Sequence, residues 1–287
     1  MTDTQHIPVL LVEALEALAV KPNHWYIDAT FGRGGHTKAI LHRGGRVVAF
    51  DWDPEAIAHG QETFTEELAA KKLHLIAESF AQIAQKTPVS PISGILFDFG
   101  TSTEQLTSET RGFSFEGDGP LDMRMNPKLG VTAADLLAVV PEKQLADLFR
   151  DFGGEKQANS IAKAIKRSPE PIRTTKQLRE LVESVSRKRS SRLHPATKVF
   201  QALRIAVNSE LDQIEQALPQ AFELLEPGGK MVTIAFHEGE DRLAKHFMQQ
   251  LAKENKAVVK NLITASAEEL HRNPRARSAK LRELQKL

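Results

Sequence analysis

Asp28-Ala29-Thr30-Phe31-Gly32-Arg33-Gly34-Gly35-His36 decides how the first hundred residues are read. It follows His24-Trp25-Tyr26-Ile27-Asp28, a short run with the composition of a buried strand, and it opens a helix-periodic stretch from His36 to His42. Glycines between a strand and a helix let the backbone turn tightly and approach a ligand where helix N–H groups collect. Asp51 ends the next strand, Arg46 to Asp51, 23 residues beyond Asp28. An acid at that place can accept hydrogen bonds from ribose hydroxyls. The pattern implies a nucleoside-type cofactor.

Which cofactor depends on what the loop lacks. A dinucleotide fingerprint needs G-x-G-x-x-G, and counting from Gly32 the third position holds Thr37. No Gly-Lys-Ser/Thr of a triphosphate loop occurs either. An acid just before the glycines suits a cationic ligand better than a pyrophosphate. S-adenosylmethionine, with an ammonium and a sulfonium, is such a ligand, and Asp28 could complement it. Asp98 ends a further strand, Gly94 to Asp98. Ligands of open α/β sheets sit beyond the carboxyl ends of the strands, an edge that Asp28, Asp51 and Asp98 would line. A purely structural turn and a nicotinamide dinucleotide site are the competing readings.

Outward from the loop, strands alternate with helical patterns. Val9 to Leu18 and Pro54 to Leu68 read as helices, and Leu73 to Ile76 as a third strand. The next strand, Met231 to Phe236, is entered through the turn Pro227-Gly228-Gly229. The 132 residues between Asp98 and Met231 exceed one crossover by about 100, since a βαβ unit needs roughly 30. That surplus reads as helical. Thr132 to Asp135 resembles a capping box, Pro141 suits a first helical position, and Ala158, Ile161, Ala162 and Ile165 form an apolar stripe. Thr174 or Thr175 can cap a helix through Val185. A helix over Asp241–Lys253 and two last strands, Ala257 to Ile263 and Ala279 to Leu284, complete the reading. The expected architecture is an α/β, Rossmann-like sheet formed by residues 1–106 and 198–287, with an all-helical insert at 107–197.

The chain has 287 residues, 38 basic against 37 acidic side chains, and no cysteine. Zero cysteine excludes disulfides, thiolate nucleophiles, iron–sulfur clusters and sulfur-ligated zinc. No apolar run approaches the roughly 20 residues of a membrane span, and the first residues lack a signal-peptide pattern. A cytoplasmic, soluble protein with no membrane partner is expected. The net charge of +1 hides an asymmetry: residues 163–204 hold 12 basic and 3 acidic side chains, leaving 26 against 34 elsewhere. Arg187, Lys188, Arg189 and Arg192, with His194 and Lys198, are candidate phosphate contacts on the insert, with a solvated charged face as the plain alternative.

Several segments together resemble the bacterial small-subunit ribosomal RNA cytosine-N4 methyltransferase family. They include His6 to Leu11, Asp28 to His36, Arg111-Gly112-Phe113-Ser114-Phe115, Asp118 to Met125, His194-Pro195-Ala196-Thr197, Phe200 to Ile205 and Asn273 to Ser278. The resemblance runs from residue 6 to about 282. It implies a class I methyltransferase fold with a helical insert, S-adenosylmethionine as cofactor, and transfer to N4 of a decoding-centre cytosine. The partner would be small-subunit ribosomal RNA or the assembling subunit, with oligomeric state open, a homodimer included. The family's cofactor positions fall on Gly34, Gly35, His36, Asp51, Phe80, Asp98 and Gln105. The chain departs from the family pattern at Thr101 to Glu104, at Gly154 and at Glu238-Gly239.

The chemistry asks for alignment and for acceptors that hold the protons of a weakly nucleophilic amine. Asp98, Thr101 and Ser102 are the candidate acceptors, ahead of Asp122 and His237. Phe113, Phe115 and Met123 could flank a turned-out base or simply fill the core. His237 to Asp241 only half resembles a two-histidine zinc helix, so no metal is expected. A nicotinamide-linked oxidoreductase and a non-catalytic assembly factor are the alternatives. Replacing Asp51 by alanine is expected to weaken cofactor binding, and replacing Arg187, Lys188 and Arg189 together to weaken RNA binding only; calorimetry and RNA titration on both variants check the division.

Overall fold

The computed structural model describes residues 8–102, 105–106, 108, 110–186 and 194–287. Arg187, Lys188, Arg189 and Arg192 lie outside the described residues. The chain forms two compact units, Met1–Gly100 with Leu211–Leu287, and Thr101–Glu210. The sequence boundaries at 106/107 and 197/198 fall inside the second unit. The later one falls after the first residue of a helix, Thr197–Asn208, that lies within that unit.

The first unit opens with α1 (Leu11–Leu18), β1 (Trp25–Asp28), α2 (Gly35–His42) and β2 (Arg46–Phe50). It continues through α3 (Pro54–Thr63), α4 (Thr65–Ala69), β3 (Leu73–Ile76), a 3-10 turn (Phe80–Gln82), α5 (Ile83–Lys86) and β4 (Ile92–Asp98). The helix expected over residues 54–68 is thus broken at Phe64, whose ring is buried.

Helices α6 (Ala133–Val139), α7 (Glu142–Asp151), α8 (Ala158–Lys166), α9 (Thr175–Val185) and α10 (Thr197–Asn208) make up the second unit. Thr132 and Thr174 each close a capping box with the residue three positions on, Asp135 and Gln177. Pro141 sits one place earlier than expected, as the N-cap of α7. Leu145, Phe149, Ile161, Leu178, Val182, Val199 and Leu203 are buried. Phe113 and Met123 are buried with them, which gives these two the core role rather than an open base-flanking one.

The chain then returns to the sheet through α11 (Glu210–Leu224), β5 (Leu225–Ala235), α12 (Glu238–Lys253), β6 (Ala257–Val259), β7 (Ile263–Thr264), α13 (Ala267–Arg272), a second 3-10 segment (Pro274–Ser278) and β8 (Lys280–Lys286). The expected turn at Pro227-Gly228-Gly229 is absorbed into β5, where the register with β4 shifts between Ile92 and Gly94. α12 starts three residues earlier than the sequence suggests, because His237 caps it.

The strand order is β3-β2-β1-β4-β5-β8-β6, with β7 also paired to β8. The first five strands are mutually parallel, and β8 runs antiparallel to β5 and β6. This is a Rossmann-like sheet, and its order reverses between β1 and β4, the crevice where such sheets hold ligands. Alternating side chains build a core on each face. Ile27, Val48, Phe50, Ile95, Phe97 and Met231 pack with α11 and α12, whereas Tyr26, Val47, Ala49, Leu96, Val232 and Ile234 pack with α1 and α2. Among the described residues no helix is long and apolar enough to cross a membrane.

Ile95 is fully buried at the centre of the sheet. Its replacement by alanine is expected to cost about 2–5 kcal/mol in urea unfolding. Val12→Ala, at a residue 59% exposed, should stay within about 0.5 kcal/mol.

Candidate cofactor site

Three parallel strands end in the carboxylates of the site or just before them. Asp28 closes β1, Asp98 closes β4, and Asp51 follows β2. Asp28 is wholly buried beneath the glycine loop. One of its oxygens, Oδ2, accepts the Thr37 hydroxyl at 2.7 Å, and Oδ1 accepts the Thr30 N–H at 3.2 Å. Burial pushes this carboxyl up to about 6, against the pull of those hydrogen bonds. The Thr30 hydroxyl in turn accepts the Asp98 N–H at 2.7 Å, tying the end of β4 to the loop.

Asp51 holds the loop from the other side. Its Oδ2 accepts the Gly32 N–H at 2.8 Å and its Oδ1 the Asp53 N–H at 2.9 Å. Asp53 then caps α3 by accepting the Glu55 N–H. Burial, followed by the charges of Asp53 and Asp28, raises the Asp51 carboxyl to about 6 although the two N–H groups oppose the shift.

The glycines do two different jobs. Gly34 has φ +75°, and a methyl group there would stand 2.7 Å from the Phe31 and Phe64 rings. At Gly35 it would collide with the Pro8 ring. Protein atoms therefore demand glycine at both positions. Gly32 differs: no described atom lies within 4 Å of where its side chain would start, so its backbone faces open space.

Asp98 is raised as well. Burial, then the neighbouring carboxylates of Asp28 and Glu240, push it well above the ordinary carboxylate value. Its Oδ1 has no hydrogen-bond partner among the described residues, and its Oδ2 lies 3.7 Å from Nδ1 of buried His36. Phe80 belongs to an aromatic group with the two residues that flank Asp98 in sequence, edge-on to Phe97 at 5.7 Å and 6.2 Å from Phe99. Ser79 caps the Phe80 turn, and Gln220 of α11 holds it through the Ala81 carbonyl at 2.9 Å. These fixings make Phe80 a rigid wall.

Asp28, Gly34, Gly35, His36, Asp51, Phe80 and Asp98 all belong to the first unit; Thr101, Ser102 and Gln105 open the second. Ser102 and Gln105 form a reciprocal clasp, in which Ser102 Oγ accepts the Gln105 N–H at 3.2 Å and Gln105 Oε1 accepts the Ser102 N–H at 3.1 Å. Thr101 Oγ1 stands 3.5 Å from Arg204, which is held by Glu210 at 2.8 Å. Burial would raise the Asp122 carboxyl, but two 2.7 Å contacts from Arg124 outweigh it and hold the group below its ordinary value.

His237 is a helix cap. Its Nδ1 faces the Gly239 and Glu240 N–H groups, while Glu240 Oε2 accepts the N–H groups of Phe236 and His237. In the second unit, His194 stacks on Phe115 with ring centres 4.6 Å apart and meets Glu183 at 2.9 Å. Lys198 Nζ donates to the Gly154 carbonyl at 2.8 Å. Both residues are therefore engaged inside their own unit, and Phe115 is shared between His194 and Phe200.

Sequence reading missed Thr30, Thr37 and Glu240. Thr37 left a usable signal. The residue that breaks the dinucleotide fingerprint is the one that closes on Asp28. Glu240 left a weaker one, as the fourth residue of the half-matched zinc helix.

Comparison with known proteins identifies the family and the kind of fold. The family model described as the MraW methylase family matches residues 3–287. A protein of Acidobacterium capsulatum named ribosomal RNA small subunit methyltransferase H is 43% identical over 297 residues, covering 100% of both chains. One of the same name from Dechloromonas aromatica is 44% identical over 306 residues, covering 99% of each. A crystallised rRNA-methylase candidate from Clostridium thermocellum has the same kind of fold, with a TM-score of 0.50 at 16% identity over 98% of this chain and 100% of that one. The chain belongs to the MraW methylase family of S-adenosylmethionine-dependent methyltransferases.

Proposed function

We propose that the protein transfers the methyl group of S-adenosylmethionine to the exocyclic N4 of a decoding-centre cytosine in small-subunit ribosomal RNA, acting in the cytoplasm on the RNA or the assembling subunit. The names of its relatives supply the ribosomal RNA half of this reading. The observation that carries the cofactor half is the convergence of Asp28, Asp51 and Asp98 on one sheet edge, each with its carboxyl raised.

The residues present fit the cofactor. Raising the fully buried Asp28 from 3.8 to about 6 costs about 3 kcal/mol of its charged form at neutral pH. A ligand carrying an ammonium and a sulfonium against one carboxylate relieves that cost. The open backbone of Gly32 and Asp98 Oδ1, unpartnered among the described residues, leave room and a polar atom for it. Asp51 would take the ribose hydroxyls through its remaining lone pairs, Phe80 one face of the adenine, and Gln105 a polar edge. When bound, the cofactor supplies an activated methyl group on sulfur.

The protein's own contribution is position and charge. Asp98, freed of its proton by a nearby cation, becomes an acceptor for an amine N–H, which draws the nitrogen lone pair out of the ring system. The hydroxyls of Thr101 and Ser102 are the second acceptors. Phe80, Phe97 and Phe99 are the apolar group offered to the adenine. RNA contacts from the basic 187–198 segment belong to the same reading.

Incubating the protein with labelled S-adenosylmethionine and small subunits lacking modification, then mapping the labelled nucleoside by mass, tests the whole reading. N4-methylcytidine at one decoding-centre position is expected; label on another base, or none, contradicts it. A second test uses pH. Because the raised acids keep their protons up to about pH 6 in the free protein, they stabilise the fold at low pH and lose that contribution as pH rises through about 6. Their ionised forms are the ones that attract a cation. Saturating S-adenosylmethionine should therefore raise the melting temperature more at pH 7.5 than at pH 5, and its affinity by calorimetry should climb through about pH 6 and then level off.

A further inference from the structure

We infer that the chain segments entering β1, β2 and β3 form a docking edge for RNA backbone phosphates, at the amino ends of the strands and away from the cofactor site; the proposal rests on the ribosomal RNA reading above.

Residues 19–27, 40–50 and 68–77 lead into three neighbouring parallel strands, and they hold five lysine or arginine side chains and no acid. Backbone hydrogen bonds lock the three entries side by side. The Asn23 N–H donates to the Gly44 carbonyl, the Arg46 N–H to that of His24, and the Val47 N–H to that of Lys72, each at 2.8 Å. The hydroxyl of buried Tyr26 accepts the Lys21 N–H at 2.8 Å. Adjacent strands lie about 4.8 Å apart, so the three entries make a row about 10 Å across. Long cationic side chains on a backbone anchored in this way lose less freedom on meeting a phosphate than the same side chains on a loose loop.

The fold does not consume these charges. Lys21, Arg43, Lys71 and Lys72 are exposed, and none of them pairs with an acidic side chain among the described residues. Arg46 lies instead over the Trp25 ring, 4.6 Å from its centre, and His74 stands 5.2 Å from the same ring. Burial, then the cations of Arg46 and Lys71, hold the His74 imidazole below its ordinary value. Positive charge in the row is therefore uncompensated. Glu226, 3.9 Å from His24, bounds it on the β5 side, and Glu66 and Glu67 stand one helical turn before Lys71.

Position supplies the rest. β1 has four residues and β2 five, each rising about 3.3 Å, so the basic entries lie about 10–15 Å from the acids at the other ends of the same strands. β3 is the outermost strand on this side. Its entry, with Lys71 and Lys72, is at the flank of the unit, where an RNA can pass from one edge of the sheet to the other. An RNA that brings a base to Asp98 carries phosphates beyond that base. The acidic strand ends repel them and the basic entries attract them. A sugar–phosphate backbone is the ligand that satisfies several unpaired cations in a row without reading sequence.

The test compares the full-length protein with R43A/K71A/K72A and the charge-keeping R43K/K71R/K72R, binding small subunits assembled on unmodified transcript over a range of salt by co-sedimentation. Each lost phosphate contact lowers the slope of log affinity against log salt by about 0.7–0.9, so the alanine triple should lower it by about 2.1–2.7. The charge-keeping triple should hold the slope, and both should keep the wild-type affinity for S-adenosylmethionine by calorimetry. A fall smaller than one contact's worth in the alanine triple, an equal fall in the charge-keeping triple, or a loss of cofactor affinity overturns the docking edge. A wild-type protein that neither binds nor methylates the subunits overturns the ribosomal RNA reading with it. A wild-type that does both while the alanine triple matches it overturns the docking edge alone.

Discussion

The hydrogen bonds that Asp28 accepts from Thr37 and Thr30, continued by the Asp98 N–H to the Thr30 hydroxyl, hold the catalytic unit's working edge together. They join the first turn of α2, the loop and two adjacent strand ends through one buried carboxylate. Without them, the loop would carry unsatisfied backbone groups into the core, each costing about 1–3 kcal/mol. Asp51 repeats the device on the opposite side, linking Gly32 to the cap of α3. The loop is thus held by protein atoms of its own unit. That is the condition under which binding energy is not consumed in ordering the site.

The same construction concentrates negative charge. Asp28 and Asp51 have fixed structural partners, and Asp98 has an oxygen without a partner among the described residues, with Glu240 as an additional charged neighbour. On the proposed reading the aromatic group of Phe80, Phe97 and Phe99 serves the adenine and the three strand-end acids serve the ribose and the cationic part of the cofactor. Asp241 sits one residue from Glu240 but is matched by Lys280 and Arg282, so the excess charge is confined to the pocket edge.

Much of this was legible in the residues. Strand runs of alternating burial, the glycine loop and acids at strand ends are local patterns, and β1, β2 and β4 end close to where the pattern puts them. The length between Asp98 and Met231 demanded an insert, because chain connectivity is arithmetic. Its limits were not legible, since α10 and its neighbours pack by long-range contacts that leave no local mark. The role of Thr37 was hidden for a similar reason. A threonine in place of a glycine reads as a failed motif until its hydroxyl is seen against a carboxylate nine residues earlier. His237 illustrates the converse, where a residue type rich in chemistry is used to close a helix end. The basic run 187–192 belongs to neither lesson, because it lies outside the described residues.

The late pairing of β4 has a consequence for synthesis. β4 ends at Asp98, and its neighbour β5 begins at Leu225. At about 5–20 residues per second, ribosomes need roughly 6–25 s to make the intervening chain. During that interval the nascent sheet β3-β2-β1-β4 has a bare parallel edge rich in Ile, Leu and Phe, the kind of surface that recruits other strands. The helical unit is completed within the same window. The insert therefore also acts as a timer. It delays closure of the sheet, and makes the exposed edge of β4 the place where a chaperone would be needed.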